Sequence, residues 1–155
     1  MTNMPAILLK QIIAIMSLLD LARTIEFPKI CDPRGNLSFI ESARHIPFPI
    51  KRVFYIYDVP GGETRGGHAH KECWSVLIAV SGSLDVRLTD GTDEKVVTLN
   101  RSNKGLIIPP GVWDTMHDFT TGTVVLALAS HPYEEEDYIR DYEEFLEYVK
   151  TIIVD

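Results

Sequence analysis

Cysteine is scarce in this sequence, and acidic side chains outnumber basic ones. The two cysteines, Cys31 and Cys73, are far apart and form no CxxC or zinc-like spacing, so free buried thiols in a reducing compartment are expected. The chain has 15 Lys and Arg against 22 Asp and Glu, and its net charge of −7 argues against a broad nucleic-acid or anionic-membrane surface. These shortages predict a cytoplasmic protein with neither a nucleic-acid nor a membrane partner.

A long, purely apolar run is also missing, although residues 4–21 come close to one. Lys10, Gln11 and Asp20 interrupt this segment, no basic region precedes it, and no small-residue cleavage pattern follows it. Its aliphatic side chains recur at helical spacing, which predicts an apolar helix that docks on a partner subunit or on another surface of the same domain. The alternative is that translation starts at Met16 and that the upstream residues are an extension.

From residue 27 to residue 130 the chain consists of short apolar or alternating runs separated by Gly, Pro, Asn and Asp. The predicted strands are residues 37–41, 52–58, 67–69, 73–81, 83–89, 94–100, 105–108, 114–119 and 123–129. So many short strands at this spacing predict an all-β sandwich or barrel.

The C-terminal segment, residues 134–149, is acidic and aromatic. Its large apolar side chains fall near one helical face, at Tyr138, Tyr142, Phe145, Leu146 and Val149. We therefore predict a C-terminal helix that closes the domain. The domain organisation predicted from the sequence is an apolar N-terminal helical extension, residues 1–24, followed by one domain, residues 25–155.

Two histidines one residue apart, His68 and His70, follow Arg65 and a pair of glycines. Side chains two residues apart on a strand point to the same side, so both imidazoles should face one cavity. Imidazole titrates near neutral pH and can take up and return a proton. The alternative is that both histidines are only hydrogen-bonded wall residues, but the adjacent arginine and glycines favour a functional pair.

The spacing around the pair resembles that of the cupins, small double-stranded β-helices with a jelly-roll barrel. The matching positions are Gly62, His68, His70, Gly82 and Pro109-Pro110-Gly111. Metal-binding cupins add a Glu after the histidine pair and a His after the second motif, where this chain has Trp74 or Ser75 and then Asp114. Catalytic zinc needs three protein ligands, and non-haem iron needs two His and a carboxylate. We therefore predict no metal ligands and no metal cofactor.

Basic and aromatic side chains near these motifs are the candidates for substrate binding. Arg34 and Arg65 each adjoin a glycine, and a planar guanidinium suits phosphate oxygens. Arg52 is a third candidate, although strand alternation can turn it outward. Tyr55 is a candidate to hydrogen-bond sugar oxygens, with a barrel-core tyrosine as the alternative.

Further candidates follow the Pro-Gly turn of the second motif. His117 and Asp118 come after a predicted strand and are candidates to line the same cavity. Trp113 either stacks on a nucleotide base or caps the mouth of the barrel.

Several longer motifs, spread from about Ile30 to Val149, occur in a fixed order. They are Asp32-Pro-Arg-Gly-Asn-Leu, Ile46-Pro-Phe-Pro-Ile-Lys-Arg-Val-Phe-Tyr-Ile-Tyr-Asp, Arg65-Gly-Gly-His-Ala-His-Lys, Pro110-Gly-Val-Trp, Met116-His-Asp-Phe, Ala129-Ser-His-Pro-Tyr and Asp137-Tyr-Ile-Arg-Asp-Tyr. Together they resemble the sugar-nucleotide 3,4-ketoisomerases, the WxcM-like cupins.

This resemblance implies a metal-independent homodimer that converts dTDP-linked 4-keto-6-deoxyglucose to its 3-keto isomer, on the way to a 3-amino-3,6-dideoxy sugar. It makes His68 the principal base and His70 its partner in proton transfer. Moving a ketone from C4 to C3 needs a base, a stabilised enediolate and an acid, and it needs no redox cofactor. The alternatives that stay open are a 3,5-epimerase-like cupin, a metal-dependent cupin oxygenase or isomerase, and a non-catalytic nucleotide-sugar-binding cupin.

Overall fold

Short strands dominate the computed structural model, which describes residues 16–153. In chain order the strands are β1 (Arg23–Glu26), β2 (Lys29–Ile30), β3 (Leu37–Ser38), β4 (Arg52–Ile56), β5 (Arg65–His70), β6 (Ser75–Ser81), β7 (Leu84–Thr89), β8 (Glu94–Leu99), β9 (Lys104–Ile108), β10 (Trp113–His117), β11 (Val124–Ala129) and β12 (Tyr138–Ile139). The helices are α1 (Leu18–Leu21) and α2 (Tyr142–Ile153), with a 3₁₀ turn at Glu135–Asp137.

Ten of these strands form two five-stranded antiparallel sheets. The first has the order β1-β9-β6-β11-β4, the second has the order β12-β5-β10-β7-β8, and β2 and β3 form a separate ribbon. Strand β7 illustrates the pattern, because buried Leu84, Val86 and Leu88 alternate with polar residues. Apolar side chains of both sheets, such as Val86 and Ala127, share one buried cluster. This jelly-roll barrel confirms the all-β prediction.

Each of the nine predicted strands matches an observed strand, and the predicted ends differ from the observed ends by at most three residues. Three short strands, β1, β2 and β12, were not predicted. Strand β1 pairs with β9, and β2 pairs with β3 over two residues. Strand β12 pairs with the strand that carries the two histidines, with Tyr138 opposite His70 and Ile139 opposite Ala69. A two-residue strand has too short a pattern to be recognised before its partner is known.

Helix α1 belongs to the core of the barrel. The side chain of Ser17 accepts a hydrogen bond from the backbone of Asp20, whose carboxylate accepts one from the backbone of Ser17, forming a capping box. Leu18 and Leu19 are buried between the sheets. The rest of the predicted apolar helix lies outside the described residues, and the division of the chain at residue 24 stays a prediction. Within residues 16–153, no helix is both long enough and apolar enough to cross a membrane.

The predicted helix over residues 134–149 was wrong in its first half. The chain forms the 3₁₀ turn and then β12, and α2 begins only at Tyr142. The carboxylate of Asp141 accepts the backbone N–H of Glu144 at 2.9 Å, which fixes the start of α2. Phe145 and Val149 are then buried on the second sheet. The residues ahead of α2 are thereby left extended along β5.

Candidate active site

A cavity of about 390 Å³ opens between the two sheets. Strands β4, β5, β6 and β10 contribute to its wall, and the chain around β12 completes it. Both predicted catalytic histidines line it, since His68 and His70 project from the same face of β5. Ala69, between them, points the other way and is buried under α2. The structure therefore brings the histidine pair together in one cavity.

The two imidazoles lie close together and are largely withdrawn from water. Their ring centroids are 5.1 Å apart at an interplanar angle of 85°. Burial lowers the pKa of His68 to about 4, and the nearby charges of His70 and Arg140 act in the same direction. Burial also lowers the pKa of His70, against the opposing influence of Asp137. Both side chains are therefore unprotonated bases at neutral pH.

Asp137 fixes the ring of His70. The Nδ1 atom of His70 lies 2.8 Å from Oδ2 of Asp137. The same carboxylate accepts the backbone N–H groups of Glu72 at 2.7 Å and Cys73 at 3.4 Å. A carboxylate at Nδ1 favours the ring proton on that atom, so Nε2 is left as the basic nitrogen.

Tyr138 lies against both histidines. Its ring centroid is 5.1 Å from that of His68 and 4.4 Å from that of His70. The guanidinium of Arg140 also lies over the ring of Tyr138, 4.3 Å from its centroid. These contacts hold the histidine pair against a rigid aromatic wall.

Three arginines, Arg52, Arg65 and Arg140, line the cavity. Arg140 makes two hydrogen bonds to the carboxylate of Glu135, at 2.6 and 3.0 Å. The Nε atom of Arg52 is buried, and no hydrogen-bond partner for it occurs among residues 16–153. A buried donor of this kind suits an anionic group of a ligand.

Side chains along β4 point alternately into the cavity and away from it, and this determines where Arg52 and Tyr55 lie. Arg52, Phe54 and Ile56 line the cavity, so alternation turns Arg52 inward, where a substrate-binding residue would lie. Tyr55 lies at the cavity rim, is 63% exposed, and has its ring centroid 5.7 Å from that of Tyr57. The barrel-core alternative for Tyr55 is therefore wrong.

Four predicted binding residues do not line this cavity. The side chain of Arg34 is 90% exposed and pairs with Asp32 at 2.8 Å in the turn between β2 and β3. Trp113 packs on α2, with its ring centroid 5.2 Å from that of Tyr142. His117 lies on the same outer face of β10 as Trp113, and its Nδ1 atom is 2.9 Å from the carboxylate of Asp118. The expectation that His117 and Asp118 line the histidine cavity is corrected. Arg34 and Trp113, the candidates for diphosphate binding and base stacking, also lie outside that cavity.

The cavity residue Asp114 is buried, with 4% of its surface exposed. Its Oδ2 atom lies 3.8 Å from Nε2 of His68, and its Oδ1 atom has no hydrogen-bond partner among the described residues. Burial raises the pKa of this carboxyl to about 7. The cavity thus holds a titratable acid beside His68.

Potential metal ligands form two clusters in the part of the chain that the structure describes. The groups whose ligand atoms lie within 4.8 Å of one another are His70, Cys73 and Asp137, and Asp85, His117 and Asp118. Neither group contains both cavity histidines, and in the first group Asp137 already accepts three hydrogen bonds. Each of these groups contains only one histidine, so neither resembles the triad of two histidines and a carboxylate that holds non-haem iron.

The geometry has counterparts in known proteins. The family model FdtA, described as WxcM-like, C-terminal, matches residues 21–150. The chain belongs to this family. Family membership confirms the resemblance that the ordered sequence motifs indicated, and with it the cupin barrel.

Several proteins similar to this WxcM-like chain are named as 3,4-ketoisomerases or 3,4-oxoisomerases. TDP-4-oxo-6-deoxy-alpha-D-glucose-3,4-oxoisomerase from Aneurinibacillus thermoaerophilus is 47% identical over 130 residues, which are 84% of this chain and 94% of that protein. The structure of a 3,4-ketoisomerase from Helicobacter canadensis superposes with a TM-score of 0.80 at 45% identity, covering 83% and 96% of the two chains. QdtA, a sugar 3,4-ketoisomerase from Thermoanaerobacterium thermosaccharolyticum solved with TDP, gives 0.82 at 45% identity, covering 84% and 95%.

Sequence reasoning missed four residues of the site in this WxcM-like chain, namely Asp114, Asp137, Tyr138 and Arg140. Asp114 was named from the sequence only as the residue that replaces the metal-binding His of other cupins. The other three belong to the motif Asp137-Tyr-Ile-Arg, which was interpreted as helix. The usable signal was the alternation of Tyr138 and Arg140 about apolar Ile139, which is typical of a strand with one buried face.

Proposed function

We propose that this protein converts dTDP-4-keto-6-deoxyglucose to dTDP-3-keto-6-deoxyhexose by proton transfer between C3 and C4. The observation that carries the proposal is the pair of unprotonated histidines, His68 and His70, on one face of a cavity that three arginines line. Two relatives are named as a 3,4-oxoisomerase and a sugar 3,4-ketoisomerase, which supports the same reaction here. The structure of a histidine-to-asparagine mutant of QdtA was solved in complex with TDP-4-keto-6-deoxyglucose. The product feeds the biosynthesis of 3-amino-3,6-dideoxy sugars.

The proposed chemistry uses the two histidines in different roles. His68 accepts the proton from C3, and the electrons of the broken C–H bond form an enediolate with the C4 carbonyl. His70 moves a proton from the C3 oxygen to the C4 oxygen. His68 then returns its proton to C4, which leaves the carbonyl at C3. Atoms and charge balance within the substrate, so the proposed reaction needs no redox cofactor.

The proposed binding mode places the diphosphate at the arginines. Arg52 offers a buried Nε donor without a partner among residues 16–153, and Arg65 lies at the same cavity. Guanidinium groups bind phosphate oxygens through parallel hydrogen bonds. Tyr55, at the cavity rim, is placed to hydrogen-bond the sugar or nucleotide at the entrance.

Incubation with dTDP-4-keto-6-deoxyglucose in D₂O, followed by NMR, tests this function. We expect a 3-keto product with deuterium at C4, and deuterium at C3 of the remaining 4-keto substrate. The variants His68→Asn and His70→Asn should lose turnover, whereas His45→Asn, outside the cavity, should keep it. Absence of both product and exchange would contradict the proposal.

Other outcomes of the same experiment separate the alternatives. Deuterium at C5 as well as C3 would indicate a 3,5-epimerase-like cupin. Stoichiometric iron, manganese or zinc with chelator-sensitive activity would indicate a metal-dependent cupin. Binding of the nucleotide sugar without turnover, with histidine variants that change only affinity, would indicate a binding protein.

We also propose that the enzyme is a homodimer. Three side chains on the outer face of β4 and just beyond it are more than half exposed, namely Val53, Tyr55 and Tyr57. Strand β4 is an edge of the first sheet, and an apolar edge of this kind is typically covered by another chain. Light scattering after size exclusion should give a dimer for the native chain and a monomer for Val53→Glu. A monomeric native chain would contradict this assembly.

A cytoplasmic location is part of the proposal. Both cysteines are free thiols; Cys73 is buried as expected, whereas the expectation of a buried thiol is wrong for Cys31, which is exposed. Exposed free thiols persist where the compartment is reducing. Fractionation of the producing cells, with the protein detected by an antibody, should find it in the cytoplasmic fraction.

A further inference from the structure

Asp114 is held directly opposite His68 across two hydrogen-bonded strands. The two residues are register partners in the pairing of β10 with β5, and the register shifts just after Asp114. Gly66 makes this approach possible, because its φ is +79° and a Cβ atom there would lie 2.7 Å from Oδ1 of Asp114. The backbone therefore holds a carboxyl group beside the imidazole in a fixed position.

The surroundings of Asp114 leave His68 as its nearest charge partner. No other Lys, Arg or His nitrogen among the described residues lies within 4.0 Å of its carboxyl group. Its register partner on the opposite side of β10, Leu88, carries no charge. The remaining charged or titratable groups line the same cavity at greater distance, namely Arg52, Arg65, His70, Tyr138 and Arg140.

His68 needs an anion when it acts as a base. The imidazolium that forms on proton uptake lies in a cavity whose other ionic groups are mostly arginines, and the charges of Arg140 and Arg52 oppose protonation of His68. Glu135 is paired with Arg140 and faces that guanidinium. The Asp114 carboxylate is the acidic group aimed at Nε2 of His68, at 3.8 Å. At that distance an opposite charge in a partly buried site stabilises a cation appreciably.

We propose that Asp114 is a positioning residue whose carboxylate stabilises the imidazolium of His68 during proton transfer. The proposal rests on the ketoisomerase function proposed above. The proton leaves C3, its bonding electrons remain in the enediolate, and Nε2 of His68 carries the proton beside the ionised Asp114 until it is delivered to C4. Asp114 touches neither reacting carbon and is unchanged at the end of the cycle.

A pH dependence follows from this role. The effective form of Asp114 is the carboxylate, and burial raises the pKa of that group to about 7. Activity should therefore rise with pH through about 7, while His68 stays unprotonated over the same range. A residue that only fills space would produce no such dependence.

The decisive comparison is between the native enzyme and Asp114→Asn, which keeps the shape of the side chain and removes its charge. We expect kcat for C3 exchange to fall about ten- to hundred-fold, with KM within about twofold of native. The rise of kcat with pH near 7 should disappear in this variant. The control Asp85→Asn changes an aspartate on β7 that bonds to Thr98 outside the cavity, and it should keep both the rate and the pH profile.

A second measurement on the native chain does not depend on how the variant folds. NMR signals of the His68 ring, in protein labelled at histidine, should shift with an inflection near pH 7 as the adjacent Asp114 ionises. A native-like rate and pH profile in Asp114→Asn, or His68 signals that do not respond near pH 7, would overturn the role of Asp114. Failure of the proposed function would look different, since the native enzyme itself would then show neither product nor C3 exchange.

Discussion

The Nδ1 atom of His70 lies 2.8 Å from the Oδ2 atom of Asp137, 67 positions further along the chain. The hydrogen bond and the negative charge of Asp137 both raise the pKa of His70, and burial of the ring outweighs them. Asp137 itself is held in place by the backbone N–H groups of Glu72 and Cys73. The orientation of one of the two cavity histidines thus depends on a residue 67 positions further along the chain.

Asp137→Asn should impair catalysis through His70. The neutral amide removes the negative charge, so the pKa of His70 should fall further, and the amide can also present an N–H group to Nδ1 and favour the other tautomer. We expect kcat to fall at least about tenfold. Histidine NMR and steady-state kinetics measure both effects, with the exposed turn residue Asp93→Asn as control. An unchanged His70 pKa together with native kcat would contradict this prediction.

Arg52→Lys should weaken nucleotide binding. The lysine keeps the positive charge but loses the planar guanidinium and the buried Nε donor that has no partner among the described residues. Calorimetry with dTDP should show a Kd about tenfold weaker, or about 1.4 kcal/mol. Arg87→Lys, an exposed position on β7, is the matched control. If both variants bind dTDP like the native protein, Arg52 does not contact the diphosphate.

Trp113→Ala should cost stability and spare ligand binding. The indole packs on Tyr142 and Phe145 of α2, with ring centroids 5.2 and 5.4 Å away. Loss of a half-buried aromatic side chain should lower the free energy of unfolding by about 2–3 kcal/mol. Urea denaturation measures this loss, and calorimetry with dTDP should give a native Kd. Native stability combined with weaker dTDP binding would instead restore the base-stacking role for Trp113.

The stability of Asp114→Asn should depend on pH in a defined direction. The pKa of Asp114 is raised to about 7 in the folded chain, above its ordinary value of 3.8, so its favourable contribution is complete below pH 3.8 and is lost as pH rises through about 7. The variant should gain stability over the native chain as pH rises from about 5 to about 8. Each kcal/mol should appear as roughly 2–4 °C in Tm. A Tm difference that does not vary with pH would contradict the raised pKa.

The histidine pair could be predicted from the sequence because it depends on strand periodicity alone. His68 and His70 share a face wherever the strand lies. Periodicity does not show which face of a strand points into the barrel, and the wrongly predicted cavity residues on β10 follow from that limit. On β10 the outer face carries Trp113 and His117, while Asp114 faces the cavity. The inward face is set by which sheet a strand joins, and that is a long-range property.

The segment around β12 shows a second limit of sequence reasoning. Tyr138, Tyr142 and Phe145 fit helical spacing, and Tyr138 and Arg140 also fit strand alternation. The conflict is resolved by pairing with β5, where Tyr138 lies opposite His70. Such pairing joins residues far apart along the chain, so no local pattern contains it. The three site residues missed here were missed for this one reason.

The pairing of β12 with β5 also has a consequence for how the enzyme is made. Ribosomes add about 5–20 residues per second, so His70 is synthesised several seconds before Asp137. During that interval β5 lacks its outer neighbour, His70 lacks its carboxylate, and the wall contributed by Tyr138 and Arg140 has not been made. A nascent chain that ends before residue 137 therefore lacks both the carboxylate that orients His70 and part of the cavity wall. The histidine cavity is therefore completed only late in translation.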